Sequence, residues 1–393
     1  MGKKRKSAKD VMLPHSAAKV AFYRSYLVKM LSIMSVTRYF NRVNIFDVFC
    51  GRGVYADGGH GSPIQAMEAI QKVREDHPSD TTFYLYLNDV VKKYVLGVKD
   101  YIEEHFPKNG LCKVNYLNAP AKRLFEELVR FLEHMPKTSK NIIFIDPYGY
   151  KDIHKETLRR MMSNERTEIL LFLPISFMHR FTHYAFDGNA NKGALPLREF
   201  ISEFFPVGHP VRSDEPMDVK QYIRELTRAF SFGGRYYTTS YFIERDCKNY
   251  FALFFMTTNL LGLEKAVDTL WELDKLEGKG FHLPEVETSQ LRFFEDFFRE
   301  EDDRKRFEYL RILMLSFLEK RQRSNCEIYE FILQHGYKPT HANEVLRKLQ
   351  KDDLIEVFLC DSGNKARTGA FYVCYTHSKN HSMPKAVIGL KSR

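Results

Sequence analysis

The chain has 393 residues, long enough for two or three domains that each bury a core. With 44% apolar residues it has the composition of a globular protein, and no run approaches the roughly 18 apolar residues that a membrane span requires, which argues against a helical membrane protein. The formal net charge of +10 predicts a polyanionic partner such as DNA or RNA.

The N-terminal "MGKKRKSAKD" is basic but has no apolar segment after it, so it does not read as a secretory signal. Residues 1–15 are expected to form a basic flexible tail, and "KKRK" reads either as a nuclear or nucleic-acid-binding arm or as a solubilising run. Residues 11–40 show helical periodicity in "AAKVAFYRSYLVKMLSIM". Five apolar runs then alternate with helical patterns: "NIFDVF", "TFYLYLND", "CKVNYLN", "KNIIFIDPYGY" and "TEILLFLPIS". These runs are continuously apolar rather than alternating, which predicts strands buried on both faces of a parallel sheet. Ser62 and Pro63 suit the start of the helix after the first strand.

After a looser region at 178–235, "YYTTSYFIER" and "NYFALFFMTTN" read as a hairpin joined near Asp246, suited to a sheet that closes with reversed edge strands. The helix "LEKAVDTLWELDK" follows, and polar, Gly- and Pro-punctuated sequence marks a boundary after it. The expected organisation is a doubly wound, mostly parallel α/β domain at 16–280, a linker at 281–303, a winged helix-turn-helix at 304–380 and a basic tail at 381–393. The winged helix is read from three helical patterns, the last capped by Thr340, and two strands, "LIEVFLC" and "AFYVCYT". His341, Asn343, Arg347 and Lys348 fall on or near its recognition helix, and Lys365 and Arg367 in its wing, which makes them the candidate nucleic-acid contacts.

The six cysteines are scattered, with no C-x-x-C pair and no His at zinc-finger spacing, which predicts a reducing, cytoplasmic setting without disulfides or a metal site. His179 and His183 lie four apart but lack a nearby Glu or Cys partner.

The chemistry is concentrated at two strand ends. In "DVFCGRGVYADGGHGSP" the glycines follow the first strand, where bare backbone lets a nucleotide approach. The letters satisfy G-x-G-x-x-A at Gly51, Gly53 and Ala56, but "DGGHG" intervenes before the helix, and no acidic residue falls at a strand end at the spacing a dinucleotide site needs. S-adenosylmethionine (SAM) fits better, because it has no pyrophosphate to rest on the helix. Asp47, Cys50, Gly51 and Gly53 would form the turn around it, Asp89 would accept the ribose hydroxyls, and Asn118 would face the adenine. Asp89 and Asn118 are also cap-type residues before helices, and Cys50 also reads as a small buried hydrophobe.

Asp146, Pro147, Tyr148 and Gly149 follow the fourth strand. In amino-group methyl transfer, an Asp carboxylate and a Pro carbonyl accept hydrogen bonds from the amine, and an aromatic ring stacks on a flipped base. Asp146, Pro147 and Tyr148 are therefore the candidate catalytic residues. The alternative is a strand-ending turn in which the Asp caps and the Tyr packs.

Together "DVFCGRGVY…GSPIQA", "FIDPYGY", "YFALFFMTTNLLGLEKAVDTLW" and "YKPTHANEVLRKLQKDDLI" resemble the three-Cys-motif partner protein (TcmP) family, from about Lys19 to the wing. The resemblance implies a class I methyltransferase-like domain followed by a winged helix, and association with a radical-SAM-like protein bearing three cysteines. It would assign Gly51, Gly53 and the Gly61-Ser62-Pro63 turn to the nucleotide edge, and Asp146 to Gly149 to the reaction edge. Cys50 departs from the small Ala or Ser expected before the first glycine. The expected function is SAM-dependent methylation of an exocyclic base amine. The alternatives are a non-catalytic scaffold that brings the radical-SAM-like partner to DNA or RNA, and a nucleotide-sensing DNA-binding regulator.

Overall fold

The computed structural model describes residues 11–37, 39–106, 110, 112–187, 192–213, 216–246, 249–275, 277–281 and 295–391, with 295–306 described by backbone alone. The "KKRK" run and most of the expected 281–303 linker lie outside the described residues. The chain divides into two compact units, 1–269 with 280–283, and 270–279 with 284–393.

The first unit begins with α1 (Pro14–Val36), whose proline sits in the first turn, where a missing N–H costs nothing. It continues through β1 (Arg42–Asp47), α2 (Ser62–Asp76), β2 (Thr82–Asn88), α3 (Lys92–His105), β3 (Lys113–Leu117), α4 (Ala121–Glu133), β4 (Ser139–Ile145), α5 (Lys155–Met162), β5 (Thr167–Leu173), α6 (Ile175–Phe186), α7 (Leu195–Phe204), α8 (Val219–Ala229), β6 (Tyr237–Asp246), β7 (Asn249–Thr257), α9 (Leu260–Leu273) and β8 (Gly280–Phe281). The sheet order is β3-β2-β1-β4-β5-β7-β6-β8. Strands β1 to β5 are mutually parallel, as expected, but the expected burial on both faces holds for β1, β4 and β5 only: β2 alternates, and β3, at the sheet edge, has no buried residue. Only one strand of the expected reversed pair opposes the others. β7 inserts antiparallel between β5 and β6, while β6 keeps the common direction. The burial patterns explain the placement: β7 is buried from Ala252 to Thr257, whereas β6 alternates and tolerates a place near the edge.

One sheet face carries the apolar core shared with α4 to α8, including Ile143, Ile145, Leu171 and Phe254. The alternate residues face α1: Tyr23 stacks on Phe144 at 4.4 Å and Tyr26 packs on Phe255 at 4.7 Å. A buried ionic cluster holds this side together. Glu168 of β5 accepts from Lys140 of β4 at 2.7 Å, from the Tyr26 hydroxyl of α1 at 2.6 Å and from Thr257 of β7 at 3.1 Å. Gly262 is required beneath it, since a Cβ there would strike the Glu168 carboxylate. Removing either charge strands the other in the core, a loss of about 3–5 kcal/mol.

The second unit contains α10 (Glu295–Glu319), β9 (Arg323–Ser324), α11 (Asn325–Gln334), α12 (Pro339–Lys351), β10 (Ile355–Leu359), α13 (Tyr375–Ser378) and β11 (Ala386–Leu390). Its antiparallel sheet has the order β10-β11-β9. Five expectations change here. α10 begins inside the expected linker, and α12 begins with Pro339 in its first turn rather than after a Thr340 cap. The expected strand "AFYVCYT" is instead a turn leading into α13, because Tyr372 has φ +57° and the buried Asn325 amide donates to the carbonyls of Tyr372 and His377. The same Asn325 accepts from the amides of Lys385 and Ala386, so 386–390 is the central strand of this sheet and not a basic tail. The expected boundary at 280 also moves back to 269, since the Trp271 indole donates to the Gly336 carbonyl at 2.7 Å and packs on His341. Among the described residues, no helix is long and apolar enough to cross a membrane.

Candidate functional site

β1 and β4 are neighbours in register, and the Val48 amide still donates to the Phe144 carbonyl at 3.0 Å where the two strands end. Their following loops therefore line one cleft of about 320 Å³ at the carboxyl edge of the sheet. From the β1 side come Cys50, Gly51, Arg52, Gly53 and Tyr55, and from the β4 side Asp146, Pro147 and Tyr148. Gly51 (φ +60°) has open space where a Cβ would stand, so its backbone is bare to the cleft. Gly53 (φ +74°) is needed for a different reason: a Cβ there would come within 2.7 Å of Val98 on α3.

The "DGGHG" insertion does not carry the chain away from this turn. Tyr55 donates to the Gly59 carbonyl at 2.9 Å, and Gly61 donates to Gly53 at 2.6 Å. The loop closes as a small hairpin and brings Gly61 and Ser62, at the N-terminus of α2, to the cleft wall. The long glycine stretch thus supplies both a bare turn and a helix N-terminus to one cavity.

Asp47, at the end of β1, is fully buried, and neither carboxylate oxygen has a partner in strict hydrogen-bond geometry. Its carboxyl is pushed up to about 7, chiefly by burial; the Asp146 charge adds to the rise, and the nearby Ser62 hydroxyl, Lys19 and the Phe49 amide offset part of it. The Cys50 thiol is buried and pushed well above its ordinary range by desolvation and by the Asp47 and Asp89 charges, so it is an unreactive packing group.

Asp89 lies beside the turn, but its oxygens are engaged by backbone: one accepts from Gly51 at 3.0 Å and the other from Val91 at 2.8 Å. It fixes the glycine turn and caps the following segment. Asn118 is exposed and donates to the carbonyls of Asp89 and Val90 at 2.7 and 3.0 Å, which ties the end of β3 to the loop after β2. Pro147 is buried, whereas the Tyr148 ring, 87% exposed, stands free at the cleft mouth.

The sequence reading missed Lys19. Its Nζ pairs with Asp146 Oδ2 and lies over the Phe172 ring, 4.5 Å from the centroid. Phe172 in turn stacks on Phe251 at 5.1 Å, and His15 stacks on the other side of Phe251 at 5.2 Å, which makes one cleft wall aromatic. A signal was present, since Lys19 precedes the buried Tyr23 and Tyr26 by four and seven positions and so shares their helix face. A second hollow, of about 640 Å³, lies along α4 and α5, but it is lined mostly by charged side chains such as Lys122, Glu126, Arg130 and Glu156 and has no glycine among its lining residues. Among the described residues, no group of three or more His, Cys, Asp or Glu could hold a metal ion. His179 instead bonds the Met217 carbonyl at 2.6 Å.

Within the second unit the candidate nucleic-acid residues separate. His341 is in the core rather than on a binding face, packed at 4.4 Å on Trp271 and 4.9 Å on Phe307. Asn343 is likewise committed, donating to the Val373 carbonyl at 3.2 Å. Arg347, Lys365 and Arg367 are exposed, and Lys348 is exposed while paired with Glu344 at 3.0 Å.

No family model and no curated protein matches the chain. The chain is similar, at 12% identity, to a Streptomyces achromogenes O-methyltransferase of tomaymycin synthesis solved with SAM, covering 60% of this chain and 79% of that one with a TM-score of 0.32. It is similar to the same degree, 12% identity and TM-score 0.32, to a Bacillus cereus O-methyltransferase solved with SAH, covering 60% and 80%. Likenesses this distant leave the fold to the sheet order and the chemistry to the cleft.

The Asp47 environment generates a pH dependence. Its folded-state pKa of about 7 lies above the ordinary carboxylate value, so the folded chain holds a proton that the unfolded chain releases. That stability is fully present below about pH 4 and is lost as pH rises through about 7. Asp47→Asn should therefore flatten the fall in Tm between about pH 4.5 and 8 relative to the unmodified protein, which thermal melts across that range will measure. Parallel curves would contradict the assignment.

Proposed function

We propose that the chain is a SAM-dependent methyltransferase-like protein of the TcmP kind that acts on nucleic acid at an exocyclic base amine. The observation that carries this reading is that Gly51 and Asp146 line one cleft at the adjoining ends of β1 and β4. The cleft also suits the cofactor. Open space at the Gly51 Cβ position gives a cradle for its methionine part, the α2 N-terminus beside Gly61 and Ser62 favours its carboxylate, and aromatic walls suit an apolar body.

When bound, SAM supplies an electrophilic methyl whose C–S bond breaks as the N–C bond forms, leaving a neutral thioether. The chain's contribution is positional and electrostatic. The Asp146 carboxylate and the Pro147 carbonyl accept the two amine N–H bonds and turn the nitrogen lone pair toward the methyl. The Tyr148 ring stacks on the extruded base at the cleft mouth. Asp146 is also the group best placed to take up the proton that the methylated nitrogen releases. No covalent bond to the protein forms.

The specific observation that favours a non-catalytic scaffold is the Lys19–Asp146 ion pair, which engages the acceptor carboxylate. On that reading the fold recruits a three-Cys-motif radical-SAM-like partner to DNA or RNA. Incubation with labelled SAM and mixed nucleic acids, followed by nucleoside analysis, separates the two. Asp146→Ala should lower transfer about a hundredfold to a thousandfold while the SAM Kd measured by calorimetry changes little. Normal methylation by the variant would overturn the role of Asp146, and absence of both SAM heat and methylation in the unmodified protein would leave the scaffold.

The second unit, helices α10 to α13 with an antiparallel sheet, we read as a winged helix-turn-helix whose α12 and the loop after β10 meet phosphate through Arg347, Lys348, Lys365 and Arg367. Each phosphate contact adds about 0.9 to the slope of log affinity against log salt. Replacing Arg347 and Arg367 together by Ala should weaken DNA or RNA binding and lower that slope by about 2. His341→Ala should instead lower Tm, since its ring packs between Trp271 and Phe307. An unchanged slope in the arginine variant would favour a protein partner for this face.

A further inference from the structure

The ion pair at the cleft constrains which amine can bind there. Lys19 Nζ sits on Asp146 Oδ2 with only 12% of its side chain exposed, and it lies over the Phe172 ring and close to the buried Asp47 and to His15. The ammonium cannot simply swing into water with its helix, because α1 is fixed on both sides of it: Val20 and Phe22 are buried and Tyr23 stacks on Phe144. Lys19 occupies one oxygen of Asp146, so an amine that donates to the carboxylate sits beside a lysine held in place. An incoming molecule that also presents a hydrogen-bond acceptor beside the amine gives that ammonium a second partner, whereas one that presents a donor there meets it unfavourably.

We propose that Lys19 and Asp146 form one composite reader, with Asp146 accepting from the exocyclic amine and Lys19 donating to the ring nitrogen next to it. This rests on the methyl-transfer reading above and narrows its substrate. The bases that match on the Watson–Crick edge are adenine, through N6 and N1, and cytosine, through N4 and N3, since both place an amine donor directly beside an unprotonated ring nitrogen there. An alkylamine has no adjacent acceptor, and guanine sets N1–H, a second donor, beside its amine on the Watson–Crick edge, its one adjacent acceptor, N3, lying on the edge next to the sugar. Lys19 is then a specificity-determining residue: it excludes amines that lack the neighbouring acceptor and orients those that have it. The aromatic wall behind it keeps the lysine out of solvent, so its hydrogen bond to the base is not diluted by water.

The test uses the full-length protein, SAM and single-stranded oligonucleotides carrying one target base, in matched pairs of adenine with 1-deazaadenine and cytosine with 3-deazacytosine. Each deaza base keeps the amine and replaces only the ring nitrogen by CH. For whichever parent base is methylated, the deaza partner should lose about tenfold or more in kcat/KM with the unmodified protein. In Lys19→Met, parent and deaza base should react at similar, lowered rates, with Lys19→Arg restoring part of the difference. Equal rates on parent and deaza base with the unmodified protein would overturn the proposal without needing any variant to fold. A Lys19→Met protein whose SAM Kd rises tenfold, with the deaza discrimination intact, would overturn it by assigning Lys19 to the cofactor. Methylation of no base at all would remove the methyl-transfer reading itself, an outcome distinct from the other two.

Discussion

The parallel register of β1 against β4 is the constraint on which the rest depends. The two strands run together as far as the bond between the Val48 amide and the Phe144 carbonyl, then leave the sheet side by side. Everything chemical follows within a few residues of that point: the buried Asp47 just before it, the bare Gly51 after it, and Asp146 with Pro147 and Tyr148 on the neighbouring tip. Since open parallel sheets have crevices at their carboxyl ends, adjacency at this position turns two loops into two walls of one cavity.

The cavity is closed from a third side by α1, and what anchors that helix matters as much as the strand order. Tyr26 reaches into the buried Lys140–Glu168 cluster, so one carboxylate ties α1 to β4, β5 and β7 at once. A buried ion pair of this kind adds little net stability compared with apolar packing, yet it penalises any arrangement in which α1 is displaced. The same helix delivers Lys19 to Asp146. Core and cleft are therefore coupled: the cluster that fixes α1 also fixes the cation at the reaction edge.

Much of the first unit was legible from local pattern. Five apolar runs read as parallel strands, although β2 and β3 are not buried on both faces, and the positions of Gly51 and Asp146 at strand ends followed directly. The failures are tertiary. Lys19 was passed over because its partner lies 127 residues away and a lysine on an apolar helix ordinarily reaches for solvent. Asp89 sat at the expected strand end, but the amides of Gly51 and Val91 engage its carboxylate, a use that no spacing rule distinguishes from ligand binding. In the second unit, "AFYVCYT" has the stronger strand pattern, yet Asn325 bends it into a turn and recruits "AVIGL" as the central strand instead. His341 looked like a contact on a recognition helix, and only the distant Trp271 reveals it as core.

The central claim is that donor and acceptor meet in the cleft between Gly51 and Asp146. An experimental structure of the protein with S-adenosylhomocysteine tests it most directly. The account predicts the ligand's amino-acid end against Gly51 and the start of α2, with its thioether sulfur turned toward Asp146. Density for the ligand in the charged hollow along α4 and α5, or with its sulfur directed away from Asp146, would contradict it.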